Sequence, residues 1–152
     1  MPRPTLSRRP RNERGAMLLE ALIAILIFSL GILGIVGLQA NAVKQSTDAR
    51  FRIEAAVLAD ELMGQMWTDD RSSIANMQAK FNTCSTTSCT GYNTWAAKVQ
   101  GKLPGVDLSG TTKPTVTIDP AGIIQIVIKW RQPGEDATSD EHKFAMEAQI
   151  RP

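Results

Sequence analysis

Histidine occurs once in the 152 residues, as His142, and cysteine twice, as Cys84 and Cys89. The lone imidazole falls in the charged stretch "GEDATSDEHK", where a solvated loop residue is expected rather than a catalytic base. The cysteines lie in "NTCSTTSCTGYN", a spacing that is neither the CxxC of redox sites nor half of a four-ligand zinc site. No P-loop and no GxGxxG occurs. Serines and threonines cluster in "CSTTSC" and "LSGTTKPT" with no histidine beside them to activate a hydroxyl. Asp69–Asp70 and Asp140–Glu141 are adjacent pairs, which suits surface or capping carboxylates better than a catalytic dyad. Aromatics make up only 5% of the chain, so Trp67, Trp95 and Trp130 are expected in the core rather than on a ligand platform. These shortages point away from an enzyme, from a metal or other cofactor, and from a small-molecule substrate. An anchored hydrolase built around His142 is the enzymatic alternative.

Excess basic charge is also missing from most of the chain. The formal net charge is +2. The first fifteen residues hold Arg3, Arg8, Arg9, Arg11 and Arg14 against Glu13, which is +4 and leaves −2 for the rest. A general nucleic-acid surface needs a clustered basic face, so nucleic acid is not expected as a partner. The basic tail reads instead as a segment retained in the cytoplasm beside an apolar span; a disordered arm for nucleic acid is the alternative.

What the chain does have is one long apolar run, "RGAMLLEALIAILIFSLGILGIVGLQ", residues 14–39. No formal charge appears from Ala21 to Leu38. As a helix with ~1.5 Å rise per residue this stretch covers about 27 Å, close to the ~30 Å of a hydrocarbon core. A cleaved secretory signal would have a shorter apolar core. "ANA" at Ala40–Ala42 imitates a signal-peptidase site, but the helical pattern runs on past it. Ala55, Leu58, Ala59, Leu62 and Met66 fall on one helical face, and Phe51 extends that face by a turn. One helix from about Met17 to Met66 is predicted, apolar all round at first and amphipathic later, with no proline to interrupt it. Gly31, Gly34 and Gly37 recur every three residues, either as tolerated glycines or as a soft or close-packing patch.

Glu20 stands just inside the apolar run. Near the end of a span its carboxylate can reach toward the surface, or it can take a cation. A cut between Gly15 and Ala16 would expose an α-amine four residues before Glu20, one helical turn away. In packed helices the carboxylate of one chain would meet the amine of another, and an ion pair in low dielectric fixes axial register.

A basic leader ending in Gly15, a small residue at Ala16, Glu20 at the fifth position after the cut and an unbroken apolar helix resemble the N-terminus of type IV prepilins. The family usually has phenylalanine where this chain has Ala16. "SLGILGIVGLQ", Ser29–Gln39, is similar to the minor-pilin branch, with weaker echoes at Trp95, at "LPG" (Leu103–Gly105) and at "IVIKWR" (Ile126–Arg131). Minor pseudopilins of type II secretion share the leader and helix. The resemblance implies that 1–15 is a leader removed by a prepilin peptidase and that Ala16 is N-methylated. It implies a membrane and assembly half of the helix at 16–40 and a pilin-like periplasmic domain at 41–152. It further implies an inner-membrane, single-pass precursor that joins a pilus fibre, with other minor pilins and the major pilin as partners. A simple membrane-anchored periplasmic binding domain is the remaining alternative.

Outside the cytoplasm Cys84 and Cys89 are expected to form a small structural disulfide that pins a surface loop; two free thiols are the alternative. Beyond Trp67, "DDRSSIANMQAKFN" reads as a short helix with Asp69 or Asp70 as cap, and Thr94–Lys102 as another, ended near Gly101–Gly105. "PTVTI" and "IIQIVIKW" flank the turn "DPAG", Asp119–Gly122. Ile124, Ile126, Ile128 and Trp130 should point inward. In "KFAMEAQIR", Phe144, Met146, Ala148 and Ile150 should point inward, and Lys143, Glu147, Gln149 and Arg151 outward. Three antiparallel strands laid on the Phe51–Met66 face give an α+β, pilin-like layout.

Overall fold

The computed structural model describes residues 14–70, 72–84, 86–136 and 140–150. The arginines at 3, 8, 9 and 11, and Arg151, lie outside them. Helix α1 runs Arg14–Thr68, α2 Ile74–Phe81 and α3 Thr90–Lys102, followed by strands β1 (Thr115–Ile118), β2 (Ile123–Trp130) and β3 (His142–Gln149). This is the α+β, pilin-like layout, one long N-terminal helix and a small antiparallel sheet in the order β1-β2-β3. The chain divides into two units, one ending at Gln45 and one beginning at Ser46.

In the first unit, every described side chain from Gly15 to Gln45 is exposed. Within it the uncharged stretch Ala21–Leu38 is long and apolar enough to cross a membrane. Ser29, the polar side chain in its middle, donates its hydroxyl to the Ile25 carbonyl at 2.7 Å and so presents no unbonded donor to an apolar medium.

In the second unit, Ala55, Leu58, Ala59, Leu62 and Met66 of α1 are buried, with Met63, and Phe51 packs half-buried against them. Ile124, Ile126, Ile128 and Trp130 of β2 close the other side of the same core, and Tyr92, Trp95, Ala96 and Val99 of α3 fill it. Strand alternation puts every second residue of β2 inward. Two polar tips are satisfied inside this core. The Trp95 indole N–H donates to the Leu58 carbonyl, and the Tyr92 hydroxyl to Pro114, both at 2.8 Å. Trp67 departs from the expected core position: it is 49% exposed, one residue before α1 ends at Thr68.

The β1–β2 turn is built as its sequence demands. The Gly122 N–H donates to the Asp119 carbonyl at 3.0 Å, and the Asp119 side chain accepts from the Ile123 N–H at 2.7 Å. Gly122 has φ +79°, and a Cβ there would lie 2.2 Å from the Ile150 carbonyl oxygen, so both conformation and space require glycine.

Both short helices differ at their starts from expectation. The cap of α2 is Ser73, whose hydroxyl accepts from the Asn76 N–H at 3.2 Å, not Asp69 or Asp70. Those two carboxylates are spent upstream. Asp69 accepts from the Asp70 N–H and pairs with Lys80, and Asp70 accepts from the Ser72 N–H. Helix α3 begins at Thr90, four residues before the expected Thr94. Gly91 lies in its first turn, where a Cβ would sit 2.5 Å from the Phe81 ring.

Candidate functional site

Three residues at the N-terminal end of α1 are the ones to which the sequence assigns a role. Helix α1 starts at Arg14, so Gly15 and Ala16 lie in its first turn and Glu20 follows Ala16 by four residues. Positions four apart lie one above the other on a helix, so the Ala16 nitrogen and the Glu20 carboxylate share a face. In the uncut chain that nitrogen is an amide and carries no charge. Among the described residues Glu20 forms no ion pair, and its side chain is exposed. A Cβ added at Gly15, Gly31, Gly34 or Gly37 meets nothing within 4 Å, so none of the four is held by a neighbour within this chain.

The exposed surface of the same segment is as informative as its charges. Leu18, Leu22, Phe28, Leu33 and Leu38 are each at least 67% exposed. Soluble monomers do not present a continuous apolar belt of this extent to water. Lipid or the equivalent belts of other helices can cover it.

In the second unit, Cys84 and Cys89 form a disulfide. The loop it closes is held from both sides: the Lys113 ammonium donates to the Cys84 carbonyl at 3.1 Å, and Cys89 caps α3. An open cleft of about 560 Å³ lies beside this loop, lined by Tyr92, Asn93, Leu108, Ser109 and Lys113 among others. Lys113 is already engaged there, with its ammonium over the Tyr92 ring as well as on Cys84. Burial pushes the Tyr92 phenol above its ordinary value.

His142 corrects its expected place in a solvated loop. It is the first residue of β3, half-buried, with its ring stacked on Trp130 at 5.7 Å. Its Nδ1 lies 3.2 Å from Asp48 on α1 and its Nε2 3.1 Å from Glu135 in the β2–β3 connection. Gln132 reinforces the same junction, donating from its side chain to Asp48 at 3.2 Å. The cluster ties strand, connection and helix together, and no serine, threonine or cysteine nucleophile is bonded to the imidazole among the described residues. Glu141 is likewise no free surface acid. It pairs with Lys129 and Arg131, both at 3.0 Å, and accepts from Thr111. The Thr111 hydroxyl first and Lys129 second hold its carboxyl below the ordinary carboxylate value. Asp69 is held low in the same way by Lys80. Among the described residues no group of three or more His, Cys, Asp or Glu is placed to hold a metal ion.

The structure thus groups Gly15, Ala16 and Glu20 on one helix, joins Cys84 to Cys89, and turns His142 and Glu141 into structural ties. Sequence reasoning missed the Asp48–His142–Glu135 cluster. Its partners are up to 94 positions apart, and only the alternation that makes His142 a strand residue in phase with Phe144 hinted that it faces the core. No family model matches the chain, and neither curated proteins nor solved structures yield a match.

Proposed function

We propose that this protein is a minor type IV pilin, similar to the type IV pilus modification protein PilV, and that it acts as a structural subunit rather than an enzyme. The observation that carries the reading is Gly15–Ala16 followed by Glu20, just before the uncharged, fully exposed stretch Ala21–Leu38 of α1. Such a stretch needs apolar neighbours along its length.

The chemistry follows from the order of events. A prepilin peptidase in the inner membrane cuts after Gly15, removing a leader of charge +4, and Ala16 gains a free amine that is then methylated. The secondary amine keeps its positive charge. While the precursor is intact, the Ala16 nitrogen is an amide and offers Glu20 no positive charge. After the cut it has a cation one helical turn away in its own chain and at the same depth in every neighbouring chain. Where the amine of one chain pairs with Glu20 of the next, a misregistered neighbour leaves that carboxylate without its inter-chain partner; an unpaired charge in an apolar surrounding costs about 2.5–3.5 kcal/mol at mid-span on insertion scales and less near an end. Correct axial stacking is therefore selected without specific side-chain shapes along the helix. The periplasmic domain travels with the helix and presents its surface to the other minor pilins and the major pilin, priming or modifying the fibre.

The same leader and helix fit a minor pseudopilin of type II secretion. Deletion of the gene separates the two: loss of surface pili and twitching supports the pilus reading, and intact pili with lost protein secretion supports the other. Glu20→Ala tests the pairing step itself. The variant is expected to be cut normally but to enter filaments poorly; normal incorporation would count against the mechanism.

A further inference from the structure

The two edges of the sheet are treated differently. The β1 edge is covered: the Thr83 N–H donates to the Val116 carbonyl at 2.9 Å, the Val116 N–H donates to the Thr83 hydroxyl, and the Ile118 N–H donates to the Asn82 side chain. The Gln78 amide then donates to the Ile118 carbonyl. The β3 edge has no such cover. The Ile150 N–H bonds to the Gly122 carbonyl, and the register pairs Ala148 with Ile124, Met146 with Ile126 and Phe144 with Ile128. Antiparallel alternation then aims the backbone groups of these even-numbered residues at β2 and those of Lys143, Ala145 and Glu147 outward. Among the described residues those outward groups have no backbone partner. The core side of the edge is also unfinished: Phe144, Met146 and Ala148 are only half-buried, whereas Ile124, Ile126 and Ile128 beside them are fully buried.

The charges along this edge say what fits it. Lys143 stands directly across from Lys129, a like charge, and forms no ion pair among the described residues, since Glu141 is taken by Lys129 and Arg131. Glu147, four residues on, holds only a 3.3 Å hydrogen bond from Gln125. A lysine on an edge ordinarily discourages strand pairing. Here a cation and an anion flank Ala145 symmetrically, and that pattern complements itself under a two-fold axis.

We infer that the β3 edge pairs antiparallel with β3 of a second copy of this chain, about a two-fold axis at Ala145, to form a continuous six-stranded sheet. In this register Lys143 faces Glu147 of the partner subunit twice, and Ala145 faces the partner subunit's Ala145. The outward backbone groups at 143, 145 and 147 become the hydrogen-bonded pairs of the new ladder, as their orientation requires. On the core face Phe144 meets Met146 of the partner subunit and finishes the half-buried row. Slipping by two residues one way sets Lys143 opposite an alanine and Glu147 opposite Glu141 of the partner subunit, and the other way sets Glu147 opposite an alanine and Lys143 opposite Gln149 of the partner subunit; a slip of four sets like charges face to face, and a slip of one turns the bonding groups away. A parallel arrangement also brings like charges together. The charge pattern therefore selects one partner and one register.

Site-directed cross-linking in the full chain, in detergent micelles and in membranes, tests this. Ala145→Cys is expected to give a covalent dimer under mild oxidation, in at least tenfold excess over Thr117→Cys on the covered edge. Adding Lys143→Glu to Ala145→Cys should cut the yield by about tenfold, because two attractive cross-strand pairs become repulsive. Adding Glu147→Lys as well should restore it. Unchanged tryptophan fluorescence and unfolding midpoint verify that each variant is folded. Yield equal to the Thr117→Cys control, adducts to a different polypeptide, or failure of the double charge swap to restore cross-linking would each overturn the proposal.

Discussion

One helix, α1, obeys two different sets of rules along its length. From Ala21 to Leu38 it is apolar on every side and every side chain is exposed; from Phe51 to Met66 it is apolar on one stripe, and that stripe is buried. Backbone geometry is the same in both, so the helix itself does not explain the difference. What differs is the expected neighbour. A stripe asks for one sheet, supplied here by the chain's own β2 and β3. A full belt asks for a surround, which no described residue of this chain supplies. The first stretch leaves every side chain open to neighbours outside the described chain, and the second belongs to a unit with a core of its own.

The comparison breaks most completely at the cut. Replacing Gly15 by a bulky residue such as leucine is expected to abolish leader removal, read as a precursor-sized band, while the unfolding midpoint of the second unit stays unchanged. Nothing within 4 Å contests a side chain at Gly15, so a processing defect there reports on the peptidase rather than on folding.

Next in size is a matched pair of truncations. Ile126→Ala, at a fully buried position, should destabilise the domain by about 2–5 kcal/mol in denaturant unfolding. Leu26→Ala removes a similar volume from the exposed belt and should leave that transition in place. Equal losses from both would erase the distinction between the two stretches.

Backbone constraints come third. Gly122→Ala places a Cβ against the Ile150 carbonyl at positive φ and should cost more than ~1 kcal/mol. Ser73→Ala removes the α2 cap and should cost about 1 kcal/mol, whereas Asp70→Ala leaves that cap in place.

The smallest effect is acid sensitivity confined to the second unit. Glu141, Asp69 and Asp107 all have lowered pKa values, the last through the Ser109 backbone N–H. A carboxyl that is more acidic when folded stabilises the fold above its unfolded pKa, and that contribution is lost as pH falls through the folded one. The unfolded references are 4.5 for Glu141 and 3.8 for the two aspartates. The unfolding midpoint should therefore decline as pH drops below about 4.5, and Glu141→Gln should flatten that slope.

Much of this architecture is legible in the sequence because it is periodic. The 3.6-residue spacing of Ala55, Leu58, Leu62 and Met66 and the two-residue spacing of Ile124, Ile126 and Ile128 each mark a buried face, and "DPAG" marks the hairpin between β1 and β2. What is not legible depends on contacts between distant positions. Ser73 rather than Asp70 caps α2 because Lys80 and local turns claim the two aspartates. Gly91 lies in the first turn of α3, where Phe81 occupies the space a side chain would take. His142 looks like loop because eight of its neighbours in sequence are polar or small, and only Asp48, far upstream, reveals its place. The candidate site is the opposite case. Gly15, Ala16 and Glu20 are read from their order in the sequence and from the resemblance to prepilins, and the meaning proposed for them is linear: a place to cut, and a carboxylate one turn beyond it.

The mass of the N-terminal peptide of the mature protein, purified from its own membranes or filaments, tests the central claim most directly. The account predicts a chain that begins at Ala16 with a methylated amine. A chain that retains its arginine-bearing leader in cells with a working prepilin peptidase would contradict it.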